Sequence, residues 1–181
     1  MTIRVGLVST HAAPSVGGIA SCVAQIASHA ADSPGVELTT VTLTPGPHGA
    51  EVIRWPTVGK GLLAMPAKGF TPMLEQNFDV IHVFNAHTPL FLVALGADLP
   101  AVATPAWHGA SESSLRNLVW KGVTPVVRHR LRGVHIQAAS NAEAALITRD
   151  FGMTPELIMQ GVDRRRRGEA CLLYTSPSPR D

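Results

Sequence analysis

Apolar positions fall into short runs, separated by polar stretches rich in Gly and Pro, and the runs alternate between two periods. Ile3-Arg4-Val5-Gly6-Leu7-Val8-Ser9 is a near-continuous apolar run, the mark of a strand buried on both faces. After a loop containing Pro14 and the pair Gly17-Gly18, the residues Ile19, Val23, Ile26, Ala27 and Ala30 recur at helical spacing, which predicts about three turns of helix. Pro34-Gly35 ends it. Residues 36–43 alternate as a second strand, Pro45-Gly46-Pro47 is a turn, and residues 51–55 form a short third strand. Residues 56–78, punctuated by Gly59, Gly61, Pro66, Gly69 and Pro72, read as a broken helix.

The second half keeps the rhythm. Residues 79–84 are a strand, and Thr88-Pro89 supplies an N-cap with Pro at the first helical position of a helix running to residue 97. Residues 101–104 are a strand, and residues 111–120 a helix. Pro125 breaks the pattern before a second helical piece to residue 132. Residues 134–139 are a strand. Ser140 and Glu143 have capping-box spacing for a helix that runs to Phe151 and stops at Gly152. Residues 157–159 are a last short strand. Strands alternating with helices, the strands nearly all apolar, predict an α/β doubly wound parallel sheet, Rossmann-like, with helices on both faces.

With 45% apolar and 15% charged residues, the 181-residue chain has the composition of one well-buried domain. The stretch 89–107 is interrupted by Asp98 and Pro100, and no run has the length of a membrane span. The N-terminus lacks the basic and cleavage regions of a signal peptide. The net charge of +2 comes from Arg164 to Arg167: residues 1–163 carry ten Lys/Arg against eleven Asp/Glu, a net of −1 and no footprint for nucleic acid. Cys22 and Cys171 form neither a metal spacing nor a disulfide framework, which suits a reducing cytoplasm. The last eleven residues, CLLYTSPSPRD, resemble the in-frame translation of a transposase-type sequencing adapter. Residues 1–163 are therefore expected to form the domain, and residues 164–181 a disordered tail, artefactual from about residue 171, on a chain that is itself a fragment.

In a doubly wound sheet, chemistry gathers at the carboxyl ends of the strands. Gly17-Gly18, just before a helix, lets backbone approach a ligand closely where free N–H groups favour an anion; a tight turn needing positive φ explains the pair equally well. His82 lies within a strand, as a ligand-facing group or as a core histidine satisfied by a backbone carbonyl. His87, past that strand's end, reads as a loop histidine or helix entry. His108, in Thr104-Pro105-Ala106-Trp107-His108-Gly109, stands where a reacting group would be, or is a surface loop histidine. Arg128, Arg130 and Arg132 with Lys121 and His129 form a basic cluster for anionic lipid or an acidic acceptor, or else a solvated helix face. No metal-ligand motif, Walker pattern, dinucleotide glycine spacing or G-x-S-x-G elbow occurs.

In order, Arg4-Val5-Gly6-Leu7-Val8-Ser9, Pro14-Ser15-Val16-Gly17-Gly18-Ile19, Phe78-Asp79-Val80-Ile81-His82-Val83, Thr104 to Gly109, Ala139-Ser140-Asn141-Ala142-Glu143 and Gly161-Val162-Asp163 resemble the N-terminal domain of family 4 glycosyltransferases, the first half of a GT-B architecture. The resemblance implies a retaining, hexosyltransferase-type transfer of sugar from a nucleotide-diphosphate donor to an acceptor, with no cofactor or metal required. It implies that Gly17 and Gly18 lie against the donor diphosphate, that His108 is the catalytic histidine near the transferring sugar, and that His82 lies on the acceptor or sugar side. Ser140 and Glu143 match a structural helix start. The implied setting is the cytoplasm, extending to the inner face of the membrane by peripheral contact. The chain departs from the family at Phe84, where a second polar residue is usual, at Gln160 in place of Asn, and at the four Arg after Asp163. The downstream donor-binding residues are absent, so the piece alone is expected to be inactive. The rival readings are a Rossmann-type nucleotide-binding module and half of another GT-B enzyme such as an epimerase.

Overall fold

A computed structural model describes residues 1–47, 49–59, 64–109 and 114–158, with the side chains of residues 114–120 excepted. The chain runs β1 (Ile3–Ser9), α1 (Gly18–Ala30), β2 (Val36–Thr42), β3 (Val52–Arg54), β4 (Thr57–Val58), β5 (Met65–Pro66), α2 (Phe70–Asn77), β6 (Val80–Phe84), α3 (Pro89–Ala94), β7 (Ala101–Thr104), α4 (Ser114–Arg130), β8 (His135–Ala138), α5 (Asn141–Phe151) and β9 (Glu156–Leu157). Seven strands form one sheet in the order β3-β2-β1-β6-β7-β8-β9, and every pairing is parallel. The predicted α/β doubly wound parallel sheet is the fold observed.

The alternation of side chains along β1 divides the core. Leu7 points to the same side as Phe84, where Ala12, Val23, Ile19, Cys22 and Ile26 pack: this is the face under α1. Val8, Val41, Ile81, Val83 and Ala103 point to the other side, under Phe70 and Leu74 of α2, Leu90 and Phe91 of α3, Val127 of α4, and Ile147 and Phe151 of α5. Helices cover both faces unequally because α1 connects strands built outward one way and the later crossovers run the other. A crossover of fixed hand then lands on the opposite side.

Two local expectations are corrected. Residues 56–78 are not a broken helix. Thr57 pairs with Pro66 and Val58 with Met65 in a small antiparallel ribbon, and the helix begins only at Phe70. The Trp55 indole N–H donates to the Ala67 carbonyl (3.1 Å) and meets Phe70 edge to face at 5.8 Å, folding the ribbon back onto α2. Pro125 does not break α4, which continues through it to Arg130. A Pro inside a helix costs about 3 kcal/mol, but Val127 and Leu131 beyond it are almost fully buried, and that burial keeps the last turns in register. Thr88 occupies the N-cap of α3 and Pro89 opens the helix, as predicted; the Thr88 hydroxyl makes no side-chain cap and donates instead to the Asn85 carbonyl at 3.0 Å. The last two strands are also shorter than predicted, and Met159, the Gly161-Val162-Asp163 string and the tail lie outside the described residues.

Gly6, in the middle of a central strand, is explained by close approach: a Cβ there would lie 2.8 Å from the ring of Phe78. Gly6→Ala is expected to destabilise the chain by about 1–3 kcal/mol through overpacking, and Phe78→Leu in the same chain is expected to recover part of the loss. Urea denaturation of the single and double variants measures both.

Candidate functional site at the carboxyl edge of the sheet

The chain leaves β1 for β2 and β3 on one side and returns to β6, β7, β8 and β9 on the other, so the strand order reverses between β1 and β6. Loops that leave neighbouring parallel strands at such a reversal diverge and open a crevice at the carboxyl edge. The loop after β1 forms one wall and the segments after β6 and β7 form the other.

The first wall is stapled from below. The Thr44 hydroxyl donates to the Thr10 carbonyl (2.9 Å) and accepts from the Ala12 N–H (3.1 Å). The Arg54 guanidinium donates to three backbone carbonyls: Pro47 (2.6 Å), Thr44 (2.7 Å) and Ala13 (2.8 Å). One side chain thus ties the β2–β3 turn to the loop that leads to the glycine pair. Gly17, the N-cap of α1, has φ 156°, a backbone conformation that residues with a Cβ rarely adopt. Gly18 is the first residue of the helix. At both positions a Cβ would meet nothing within 4 Å. The helix start has no side-chain cap and no acidic residue in its first turn, so its first N–H groups face the crevice edge without a protein acceptor from a cap.

The second wall is strained and densely hydrogen-bonded. The Asn85 N–H donates to the Thr104 carbonyl (3.1 Å) and the Ala86 N–H to the Pro105 carbonyl (2.8 Å), so pairing continues past the ends of β6 and β7. Asn85 sits at φ 70° and Ala106 at φ 49°. Left-handed backbone costs a residue with a Cβ about 1–2 kcal/mol; Asn85 offsets part of this by accepting the His87 N–H on its own Oδ1 (3.2 Å), whereas Ala106 has no such side chain. What over-determines Ala106 is Trp107. It is almost fully buried, its backbone N–H donates to Glu143 Oε1 (2.9 Å), its indole N–H donates to Asp150 Oδ2 (2.8 Å), and its ring rests on Phe151 at 4.8 Å. The Arg149 and Trp107 hydrogen bonds hold the Asp150 carboxyl below its ordinary pKa, with the Arg149 bond the larger cause.

Glu143 does more than the helix-start motif suggests. Ser140 Oγ accepts the Glu143 N–H (3.1 Å), one half of the capping box. The returning half is absent. The buried Glu143 carboxylate takes the N–H groups of Trp107 and Ala139 (2.9 Å each) instead of the N-cap's own. It therefore joins the loop after β7 to the turn after β8.

His108 is exposed, and its Nδ1 lies 3.2 Å from the Ala106 carbonyl. A carbonyl only accepts, so Nδ1 carries the proton and Nε2 is the atom available to a ligand. His82 lies deeper. Its Nε2 is 2.8 Å from Thr104 Oγ1, which donates to Gln137 Oε1 at 3.4 Å, a relay across β6, β7 and β8. The partner is a side-chain hydroxyl, not the backbone carbonyl that the sequence suggested. Burial pushes the His82 pKa down to about 4. His87, read from sequence as a loop histidine, is stacked between Trp107 and His108. In sequence, His87 and Trp107 are ordinary; only their stacking shows that they shape the wall.

The remaining candidates are elsewhere. The Arg130 guanidinium lies over Gly96 beyond α3 and that of Arg128 over Gly152 beyond α5, so the basic cluster splays toward two neighbours. A cavity of about 600 Å³ between residues 131–136 and 153–156 sits at the amino ends of β8 and β9, away from the crevice. Among the described residues there is no group of three His, Cys, Asp or Glu placed to hold a metal, and no helix long and apolar enough to cross a membrane.

No family model matches the chain, and no curated protein matches it. Among solved structures it is similar to sucrose-phosphate synthase from Thermosynechococcus elongatus, with a TM-score of 0.60 and 18% identity, over 88% of this chain and 48% of that one. The chain thus spans about half the length of that enzyme. The likeness shows the fold alone: a parallel sheet with helices on both faces, shared with about half of that chain.

Because His82 stays neutral in the folded chain and titrates near its ordinary 6.5 when unfolded, it adds nothing to the pH dependence above that value. Between pH 6.5 and about 4 the unfolded state takes up the proton first, and stability falls as pH falls. The expected loss from this group is about 3 kcal/mol at most. His82→Gln should flatten the stability profile over that window, measured as the difference in urea midpoints between pH 7 and pH 4.5 for the two chains.

Proposed function

We propose that this chain is the N-terminal, acceptor-side domain (residues 1–163) of a retaining glycosyltransferase of the family 4 type, which moves a hexose from a nucleotide-diphosphate sugar to an acceptor. The observation that carries the reading is the pairing of walls at the strand-order reversal. One wall has an open glycine pair at an uncapped helix start, and the other has an exposed histidine on a strained, anchored loop. Gly17 has a conformational reason to be glycine; Gly18 is helical, and a Cβ there would meet nothing within 4 Å, so packing among the described residues does not require glycine at it. Close approach of a ligand supplies the reason.

In this reading the donor diphosphate lies at the N-terminus of α1. As the bond from the sugar to the diphosphate oxygen breaks, negative charge collects on the diphosphate. The helix-start N–H groups, with the positive end of the dipole, stabilise it there. The acceptor hydroxyl oxygen bonds to the sugar on the face the diphosphate leaves, and its proton passes to the departing diphosphate oxygen. His108, proton on Nδ1, offers Nε2 to a sugar hydroxyl. His82, its Nε2 proton given to Thr104, offers Nδ1 on the acceptor or sugar side. The rest of the cleft and most nucleotide contacts come from the second half of the enzyme, so residues 1–163 alone turn nothing over. No metal or cofactor takes part. The protein acts in the cytoplasm, and exposed Lys121 and Arg132 supply its peripheral contact with anionic lipid.

Titrating the ¹⁵N-labelled chain with UDP and GDP is expected to move the amide resonances of Gly17, Gly18 and Ile19 ahead of all others. In the two-domain enzyme, Gly18→Val should raise the donor KM, and His108→Ala should lower kcat by about 10²–10³-fold, as for loss of one transition-state hydrogen bond. Unmoved amides with both nucleotides, together with a near-normal kcat for His108→Ala, would overturn the reading.

A further inference from the structure

The His87 ring lies between two others. Trp107 is stacked on it at 4.6 Å between centroids and 9° between planes, and His108 at 4.3 Å and 28°. The column is bolted at its inner end, where Trp107 is buried, bonded to Glu143 and Asp150, and backed by Phe151. His108 is its exposed outer end, tethered otherwise by one bond to the Ala106 carbonyl two residues back in its own loop. His87 comes from a different strand end, after β6, and is aimed by the left-handed Asn85 and the Asn85 side chain that accepts the His87 N–H. An exposed imidazole on a loop ordinarily samples several rotamers. Here a flat ring of a second element, itself backed by a buried indole, lies stacked 4.3 Å from the His108 ring.

We propose that His87 is a positioning residue: its ring transmits the fixed plane of Trp107 to His108 and holds the His108 imidazole in the orientation it presents to the sugar. This rests on the reading of His108 given above. The requirement is a flat face, not an ionisable group, because offset stacking depends on ring shape and quadrupole. An aromatic ring at position 87 therefore replaces histidine, and a methyl group does not.

The test has two arms. In the unmutated chain, nuclear Overhauser contacts are expected between the ring protons of His87 and His108, and the His108 ring protons should resonate upfield of an exposed histidine through the ring currents of the column. His87→Ala should move them to the exposed value, and His87→Phe should keep them upfield, with both variants checked for retained amide dispersion. In the two-domain enzyme, His87→Ala should lower kcat by about ten- to a hundredfold, as for a misplaced catalytic group, leave the donor KM unchanged, and be rescued by His87→Phe. Absent ring–ring contacts in the unmutated chain, or unshifted His108 protons in a folded His87→Ala chain, overturn the proposal; so does a normal kcat for His87→Ala where His108→Ala is impaired. If the column is present by NMR but neither variant loses kcat, the assignment of His108 fails and the positioning claim fails with it for catalysis.

Discussion

A single buried carboxylate joins the parts of this domain that matter to its crevice. Glu143 sits in the first turn of α5, where the positive end of the helix dipole favours it. It spends its two oxygens on the backbone N–H groups of Trp107 and Ala139. Hydrogen bonds to a charged acceptor are worth about 1.5–3 kcal/mol each, and each of these closes a junction between a strand end and a loop. The loop after β7 could otherwise splay, because it carries a left-handed alanine at position 106. With Trp107 fixed, the Asp150 contact, the Phe151 contact and the stack with His87 follow as consequences of where one indole must lie.

The other wall is organised by the same economy. Arg54 donates to carbonyls on both sides of the β2–β3 turn and to the loop after β1. Its planar fork suits three carbonyls converging from different segments, a task a lysine would perform as a point charge only. The glycine pair therefore hangs from a braced loop, although nothing in the chain presses on the pair itself. Both walls of the crevice combine a rigid support with an unfilled edge, the arrangement a site needs if its ligand is to meet preformed geometry.

Sheet and helices were legible because burial writes a period into the sequence. The apolar runs at 3–9 and 79–84 and the stripe Ile19, Val23, Ile26 carry their periods openly, and they became β1, β6 and α1 within a residue or so of the reading. The errors came where tertiary packing overrode a local rule. Pro125 is a helix breaker by itself, yet burial of Val127 and Leu131 carried α4 through it. The Gly and Pro punctuation of residues 56–78 is compatible with several folds, and the Trp55 contacts with Ala67 and Phe70 selected a ribbon. The Ser140–Glu143 spacing correctly marked a helix start, but the carboxylate found better donors across the sheet than the one the motif assigns to it.

By itself the sequence determined the fold class, the alternation that makes the sheet parallel, and the places of Gly17 and Gly18 at a helix start, of His82 inside a strand and of His108 after one. These depend on periodicity and on turn residues, which act over a few positions. The tertiary structure alone decided that His87 would lie between Trp107 and His108, that His82 would bond a threonine hydroxyl on the next strand, and that α1 would have one face of the sheet while α2 to α5 packed on the other. Those relations join residues 20 or more positions apart in the chain, or elements placed by the hand of a crossover. A local pattern holds no information on them until the strands are in order.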